Sequence, residues 1–263
     1  MLKPDPYLKS RLYLELIFTN EGPLHIGGER LEGEPLLPLF QITMNNRFVP
    51  VIPKTSLKGV LKRQAELITK SLDRKDLVEV LNSHENDHEG EKGEEYAKKC
   101  PICNLFGSIY FRSRIRLSDA IPISTFSIFT KPGIKIDRKT RTVEKRHVFF
   151  ILSLNPGAQF KMKLIYDNPL HLYERDQELY KLPLRILIQL LKIWKDYGIF
   201  IGGQKSRGYG LTKLDAERSR GQLFNYEEMK KKGKKEEIVR SLINPSQYLE
   251  SLSNLLKKLE SIV

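Results

Sequence analysis

The sequence predicts an α+β domain, an antiparallel sheet with helices on one face, and three observations carry that prediction. Residues 11–19 alternate, with Leu12, Leu14, Leu16 and Phe18 on one side, the pattern of a strand with one buried face. From Leu57 the apolar positions Leu57, Val60, Leu61, Ala65, Ile68 and Leu72 recur at helical spacing, and Leu182 to Tyr197 forms a second amphipathic stripe. The other strand-like runs fall between these segments in the order β-α-β-β-α-β, with insertions.

The elements follow in order. Residues 20–36 form a loop holding Gly22, Pro23, Gly27, Gly28, Gly33 and Pro35. Arg47 to Ile52 reads as a short strand; Pro53 disfavours helix at Ile52, and Thr55 or Ser56 is placed to cap the helix that follows. Residues 73–104 are polar. Ser108 to Leu117 reads as a strand with Arg112, Arg114 and Arg116 on one face by period two. A basic excursion occupies 124–147. Val148 to Leu154 and Phe160 to Tyr166 read as a strand pair around Asn155-Pro156-Gly157. Pro183 suits the first turn of the helix from Leu182 to Tyr197, Gly198 suits its end, and Leu211 to Leu214 is a closing strand. Beyond residue 216 the composition shifts: 227–237 is nearly all charged, and Ser246 is placed to cap a last helix with Leu249, Leu252, Leu256 and Leu259 on one stripe. That stripe reads as docking on the protein's own core; a partner-binding helix is the alternative. The whole is the ferredoxin-like (RRM-like) order over residues 1–216, with insertions at about 73–106 and 124–147 and a helical extension over 217–263.

Composition narrows the class of partner. Of 263 residues 40% are hydrophobic, enough for a core, and the formal charge is +13. Such a balance favours a polyanion, nucleic acid ahead of an anionic membrane surface. A lysine- and glutamate-rich thermophile surface is the competing reading, but it does not skew the sign so far. The N-terminus has no apolar signal-like region, and the best apolar run, Ile186 to Trp194, is broken by Gln189 and Lys192. A soluble, cytoplasmic chain with no membrane partner is expected. Its two cysteines, Cys100 and Cys103, are spaced C-x-x-C, which in a reducing compartment means metal or redox chemistry.

His84, His88, Cys100 and Cys103 supply the four nitrogen and sulfur ligands of a closed structural zinc, in the reverse order of a zinc finger. If helical, His84 and His88 share one face. Surface histidines beside an incidental C-x-x-C are the alternative, and a redox pair lacks its usual βαβ context. Lys54, Thr55, Ser56 and Lys58 open a helix and suit a phosphate, although an ordinary capped helix looks the same. Gly202 to Gly210 interleaves four glycines, Gly203 among them, with Lys205, Ser206 and Arg207: an anion cradle or a tight turn, but neither a Walker A nor a dinucleotide loop. Thr130 to His147 carries Lys131, Lys135, Arg138, Lys139, Arg141, Lys145 and Arg146, fitting a hairpin on a nucleic-acid backbone or a solvated loop. His25 is the histidine best placed for acid/base work, with a structural role as the alternative.

Four motifs in one order carry a family resemblance: His25-Ile26-Gly27-Gly28; Ile52-Pro53-Lys54-Thr55-Ser56-Leu57-Lys58-Gly59; Cys100-Pro101-Ile102-Cys103-Asn104-Leu105-Phe106-Gly107; and Gly202 to Gly210. Over roughly residues 11–215 the chain resembles the RAMP superfamily of CRISPR-associated proteins, in particular the backbone subunits of type III effector complexes. Ile136 to Thr140 resembles that group's thumb. The resemblance implies a ferredoxin-like palm, a helical zinc-bearing insertion and a thumb hairpin. It also implies CRISPR RNA, target RNA through the guide duplex, and other RAMP subunits as partners. By motif position His25, Gly27, Gly28, Lys54, Thr55, Ser56, Lys58, Gly203, Lys205, Ser206 and Arg207 would face guide RNA, and Arg138 and Lys139 would sit on the thumb. Subunits that cut target RNA carry an aspartate before the Ile-Pro motif; residues 21–51 here contain none, and Glu32 and Glu34 are the candidate substitutes. The expectation is therefore an RNA-gripping subunit without a catalytic residue. The rival is a RAMP endoribonuclease that processes the CRISPR RNA precursor with His25 as base.

Overall fold

The computed structural model describes residues 7–29, 36–72, 74–84, 88–110, 112–136, 139, 141–170 and 177–262. Arg138, Glu32, Glu34 and His171 lie outside them. In chain order the strands are β1 (Ser10–Asn20), β2 (Leu36–Leu37), β3 (Gln41–Met44) and β4 (Arg47–Pro50), followed by helix α1 (Lys54–Ser71). Three short helices come next: α2 (Val78–His84), α3 (Gly93–Lys99) and α4 (Pro101–Phe106). Strands β5 (Ile115–Leu117), β6 (Ile121–Pro122), β7 (Ile128–Ile136), β8 (Val143–Leu154) and β9 (Gln159–Asp167) lead to α5 (Gln177–Asp196). The chain closes with β10 (Ile199–Phe200), β11 (Leu211–Leu214), β12 (Arg220–Asn225), α6 (Tyr226–Lys231), α7 (Lys235–Ile243), β13 (Glu250–Ser251) and α8 (Leu252–Ile262).

The fold is mixed α+β around β1. One edge of β1 pairs along nearly its whole length with β9, whose far edge takes β5 and β6. The other edge is shared: Phe18–Asn20 pair β11, which carries β10, while Ser10–Glu15 pair β12, which carries β13. Every one of these pairings is antiparallel. Leu12, Leu14, Leu16 and Phe18 are fully buried, as their alternation predicts. Phe18 stacks on Phe160 with ring centroids 5.7 Å apart and meets Trp194 of α5 at 4.8 Å. Trp194 Nε1 donates to Thr212 Oγ1 (3.0 Å), whose hydroxyl donates to the Ile199 carbonyl (2.9 Å). This chain of bonds clamps α5 to the two strands that flank Gly202–Gly210.

Several expected elements differ. The segments on either side of Asn155-Pro156-Gly157 do not pair with each other: β8 pairs β7 and β2, and β9 joins β1. The turn therefore carries the chain between two sheets: the alternating Phe160, Met162, Leu164 and Tyr166 of β9 are all buried beside β1, whereas Val148 and Phe150 of β8 stay exposed. Among the described residues of the segment expected as a strand over Ser108 to Leu117, strand is formed only at Ile115–Leu117. Arg47–Pro50 belongs to a hairpin with Gln41–Met44, closed by Asn45 and Asn46 at φ 48° and 59°, a left-handed pair that suits a two-residue turn. Helix α5 begins before Leu182, so Pro183 is internal to it. The last helix starts at Leu252, not near Ser246, and buries Leu252, Leu255, Leu256 and Leu259 against the core. Helices do not keep to one face: by alternation Tyr13 points opposite to Leu12 and Leu14, and it clusters with Phe224, Tyr226 and Ile238 from the C-terminal region.

Candidate metal centre and nucleic-acid interface

The four sequence-nominated ligands converge. The ligand atoms of His84, His88, Cys100 and Cys103 all lie within 4.8 Å of one another. Nδ1 of His84 is 3.4 Å from Cys103 Sγ and 3.7 Å from Cys100 Sγ. Tetrahedral zinc with bonds of about 2.0–2.3 Å spaces its ligands about 3.3–3.8 Å apart, so these two contacts already match. His84 and His88 do not share a helical face as expected. Helix α2 ends at His84, and His88 returns through a left-handed backbone (φ 58°) with its amide bonded to the Ser83 carbonyl. Gly93 packs against that return so closely that a Cβ would lie 1.8 Å from the His88 carbonyl oxygen.

The donor set fits a metal by more than proximity. His88 Nδ1 is engaged with Ser83 Oγ at 3.1 Å, and its Nε2 is buried with no hydrogen-bond partner among the described residues. A buried nitrogen left bare costs about 1–3 kcal/mol, which a bound cation offsets. Burial pushes the Cys100 thiol up, but the close approach of Cys103, His84 and His88 outweighs it and holds the thiol well below its ordinary value. The hydrogen bond with Cys100 also raises His84, against the opposing effect of burial. On its far side His84 Nε2 meets Glu66 Oε1 at 3.4 Å. A carboxylate behind a ligating imidazole orients it and raises its basicity.

A second convergence centres on Gly202–Gly210. Lys205–Arg207 form one 3-10 turn flanked by left-handed Gln204 and Gly208, and all three side chains are exposed. Three neighbours hold this loop. The Gly203 amide donates to the His25 carbonyl (2.9 Å), and Gly202, at φ 87°, is so close that a Cβ would lie 2.3 Å from that oxygen. Lys205 lines a groove with Val60, Arg63 and Gln64 of α1. From the β7–β8 hairpin, Lys131 lies over the Tyr209 ring at 5.4 Å, and Arg207 lies over Phe149 at 5.9 Å. The His25, α1, Gly202–Gly210 and thumb-like segments thus meet at one basic surface.

Individual residues fare differently. His25 is 6% exposed and its Nδ1 lies 2.7 Å from the Leu152 carbonyl, so the ring fastens the first loop to β8. Gly27 is exposed, and Gly28 is pressed against the Leu39 carbonyl. Thr55 and Ser56 do not cap α1; they lie inside it, and the Lys54 amide is taken by the Asp119 carboxylate at 2.7 Å. That carboxylate removes one amide from the expected phosphate site and leaves the Lys54 and Lys58 side chains to supply charge. Burial and neighbouring Lys62 lower the Lys58 pKa. Lys139, at the hairpin tip, is exposed.

A family model described as the RAMP superfamily matches residues 17–213, more than half of the chain. The chain belongs to the RAMP superfamily. Among solved structures, it is similar to a chain of "Cryo-EM structure of the Type III-B Cmr-beta bound to cognate target RNA", with TM-score 0.48 and 15% identity. The alignment covers 82% of this RAMP chain and 62% of that one, so this chain spans under two thirds of that chain's length. No curated protein matches. Among the described residues, no helix of this RAMP protein is long and apolar enough to cross a membrane. Glu66, Asp119 and Phe149 were not visible as site residues in the sequence, because each acts across elements far apart in the chain.

Proposed function

We propose that this RAMP protein is a CRISPR RNA-binding backbone subunit of a type III effector complex, gripping guide phosphates without reading their sequence. The observation that carries the reading is the meeting of four basic or glycine-rich segments at Gly202–Gly210, on a chain of net charge +13. Charge and backbone amides bind any sequence, which a guide-holding subunit requires. Lys54, Ser56, Lys58, Lys205, Ser206 and Arg207 contact phosphates; Arg138 and Lys139 belong to the thumb. The strand order β11–β1–β9–β5 supports a ferredoxin-like palm, and the His84, His88, Cys100 and Cys103 cluster supports a zinc that holds the insertion together. Target RNA, through the guide duplex, and neighbouring RAMP subunits are the further partners. His25 is buried with Nδ1 committed to a carbonyl, which favours a structural over a catalytic role and weakens the endoribonuclease reading.

The test is binding of purified protein to unrelated single-stranded RNAs across a salt series. Similar affinities that fall steeply with salt support the proposal. Binding indifferent to salt, or confined to duplex DNA, refutes it. A single cut in repeat RNA in the presence of chelator, lost in His25→Ala, makes the endoribonuclease reading the better one.

A further inference from the structure

His88 is held in a conformation that its own neighbours in the chain do not impose. It is fully buried, and its backbone is left-handed at φ 58°, a region that residues with a side chain keep only where the surroundings hold them there. Ser83 accepts from the His88 amide at 2.9 Å and meets its Nδ1 at 3.1 Å, but Ser83 belongs to the same helix end. Those bonds shape the local return and do not fix its place relative to the cysteines. A bond from the far side of the insertion does. The Tyr110 hydroxyl donates to the His88 carbonyl at 2.9 Å, from 22 residues along the chain and beyond both Cys100 and Cys103. A Cβ on Gly93 would lie 1.8 Å from that carbonyl oxygen and 2.2 Å from the Tyr110 hydroxyl, so glycine at this position leaves the bond its room. The Tyr110 ring is packed against the core. Its bond therefore closes a loop that contains both cysteines, and it joins the same parts of the chain that a shared ion would join.

We propose that Tyr110 is a positioning residue of the metal centre. With Nδ1 of His88 engaged by Ser83 Oγ, Nε2 is the nitrogen left to bind an ion. By holding the carbonyl of the left-handed turn, Tyr110 keeps this ring beside His84, Cys100 and Cys103. The inference rests on the metal reading above and adds to it: His88 serves as the fourth ligand because Tyr110 holds it there. Partners behind the ligands of a metal site change its affinity by about 10- to 100-fold when removed.

The experiment uses the full chain. Zinc affinity is measured by competition against a chelator, and the visible ligand-field spectrum of the cobalt(II)-loaded protein reports the number and type of ligands. Tyr110→Phe removes the hydroxyl and keeps the ring. It is expected to weaken zinc binding about ten-fold or more and to shift the cobalt spectrum toward that of His88→Ala. Tyr96→Phe removes a hydroxyl that bonds Glu79 in the same insertion, and it is expected to change neither reading. Wild-type affinity and spectrum in Tyr110→Phe overturn the proposal. A lowered melting temperature with both readings unchanged also overturns it, because Tyr110 then props the fold without placing a ligand. Equal losses in Tyr96→Phe and Tyr110→Phe overturn it as well. Wild-type affinity in His88→Ala removes His88 from the ligand set and overturns the positioning role, while the metal reading stands on the other three residues. A wild-type chain that binds neither zinc nor cobalt overturns both.

Discussion

Glu66 faces two ways from α1: Oε1 lies 3.4 Å from Nε2 of His84, and Oε2 lies 3.2 Å from NH1 of Arg63. One carboxylate therefore sits between the candidate metal centre and the groove beside Gly202–Gly210. Glu66→Gln keeps the shape and removes the charge. It is expected to weaken zinc affinity about 10-fold or more, measured by competition against a chelator of known affinity. Wild-type affinity in this variant would show that the carboxylate does not support the ligand.

Metal analysis of the purified chain is expected to find about one zinc, lost in Cys100→Ser/Cys103→Ser. The segment from α2 to α4 consists of helices of six or seven residues, too short to persist alone. Loss of metal is therefore expected to lower the melting temperature by several degrees, at ~2–4 °C per kcal/mol for a chain of this class. A metal-free wild-type protein of undiminished stability contradicts the assignment.

Lys205→Ala and Arg207→Ala each remove one exposed cation from the 3-10 turn. Each is expected to weaken binding to all single-stranded RNAs alike and to reduce the salt slope by about 0.7, the value for one phosphate contact on a single strand. Arg207→Ala also removes the contact with Phe149, so it is expected to loosen the β7–β8 hairpin, read as faster amide exchange there. A change confined to one RNA sequence would mean base readout instead.

His25→Ala leaves the Leu152 carbonyl without its partner and is expected to cost about 1–3 kcal/mol of stability. Gly202→Ala strikes the other side of the same junction, where φ is 87° and a Cβ would lie 2.3 Å from the His25 carbonyl oxygen. It is expected to be at least as destabilising, because both the conformation and the space demand glycine. Chemical denaturation of both variants, compared with Gly208→Ala, separates the effects: Gly208 also has positive φ, but a Cβ there meets nothing within 4 Å. Equal destabilisation in all three would leave the close approach to His25 without consequence.

Much of this molecule was legible in one dimension. The alternation of Leu12, Leu14, Leu16 and Phe18 determined the central strand, and the stripe from Leu57 to Ile68 determined α1, since both patterns are local consequences of backbone period. The metal ligands were nominated by residue type, because few other arrangements use two histidines and a C-x-x-C. Tertiary structure decided the rest. That β8 leaves β9 for β7, that Asp119 caps α1, and that Glu66 stands behind His84 are pairings between residues distant in sequence. Such pairings are chosen by competition for burial and for hydrogen-bond partners across the whole fold, and no local period records the outcome. The same physics made Gly202–Gly210 a junction. Its glycines marked a close approach, but only the folded chain decided that the approach is to His25, α1 and the β7–β8 hairpin at once.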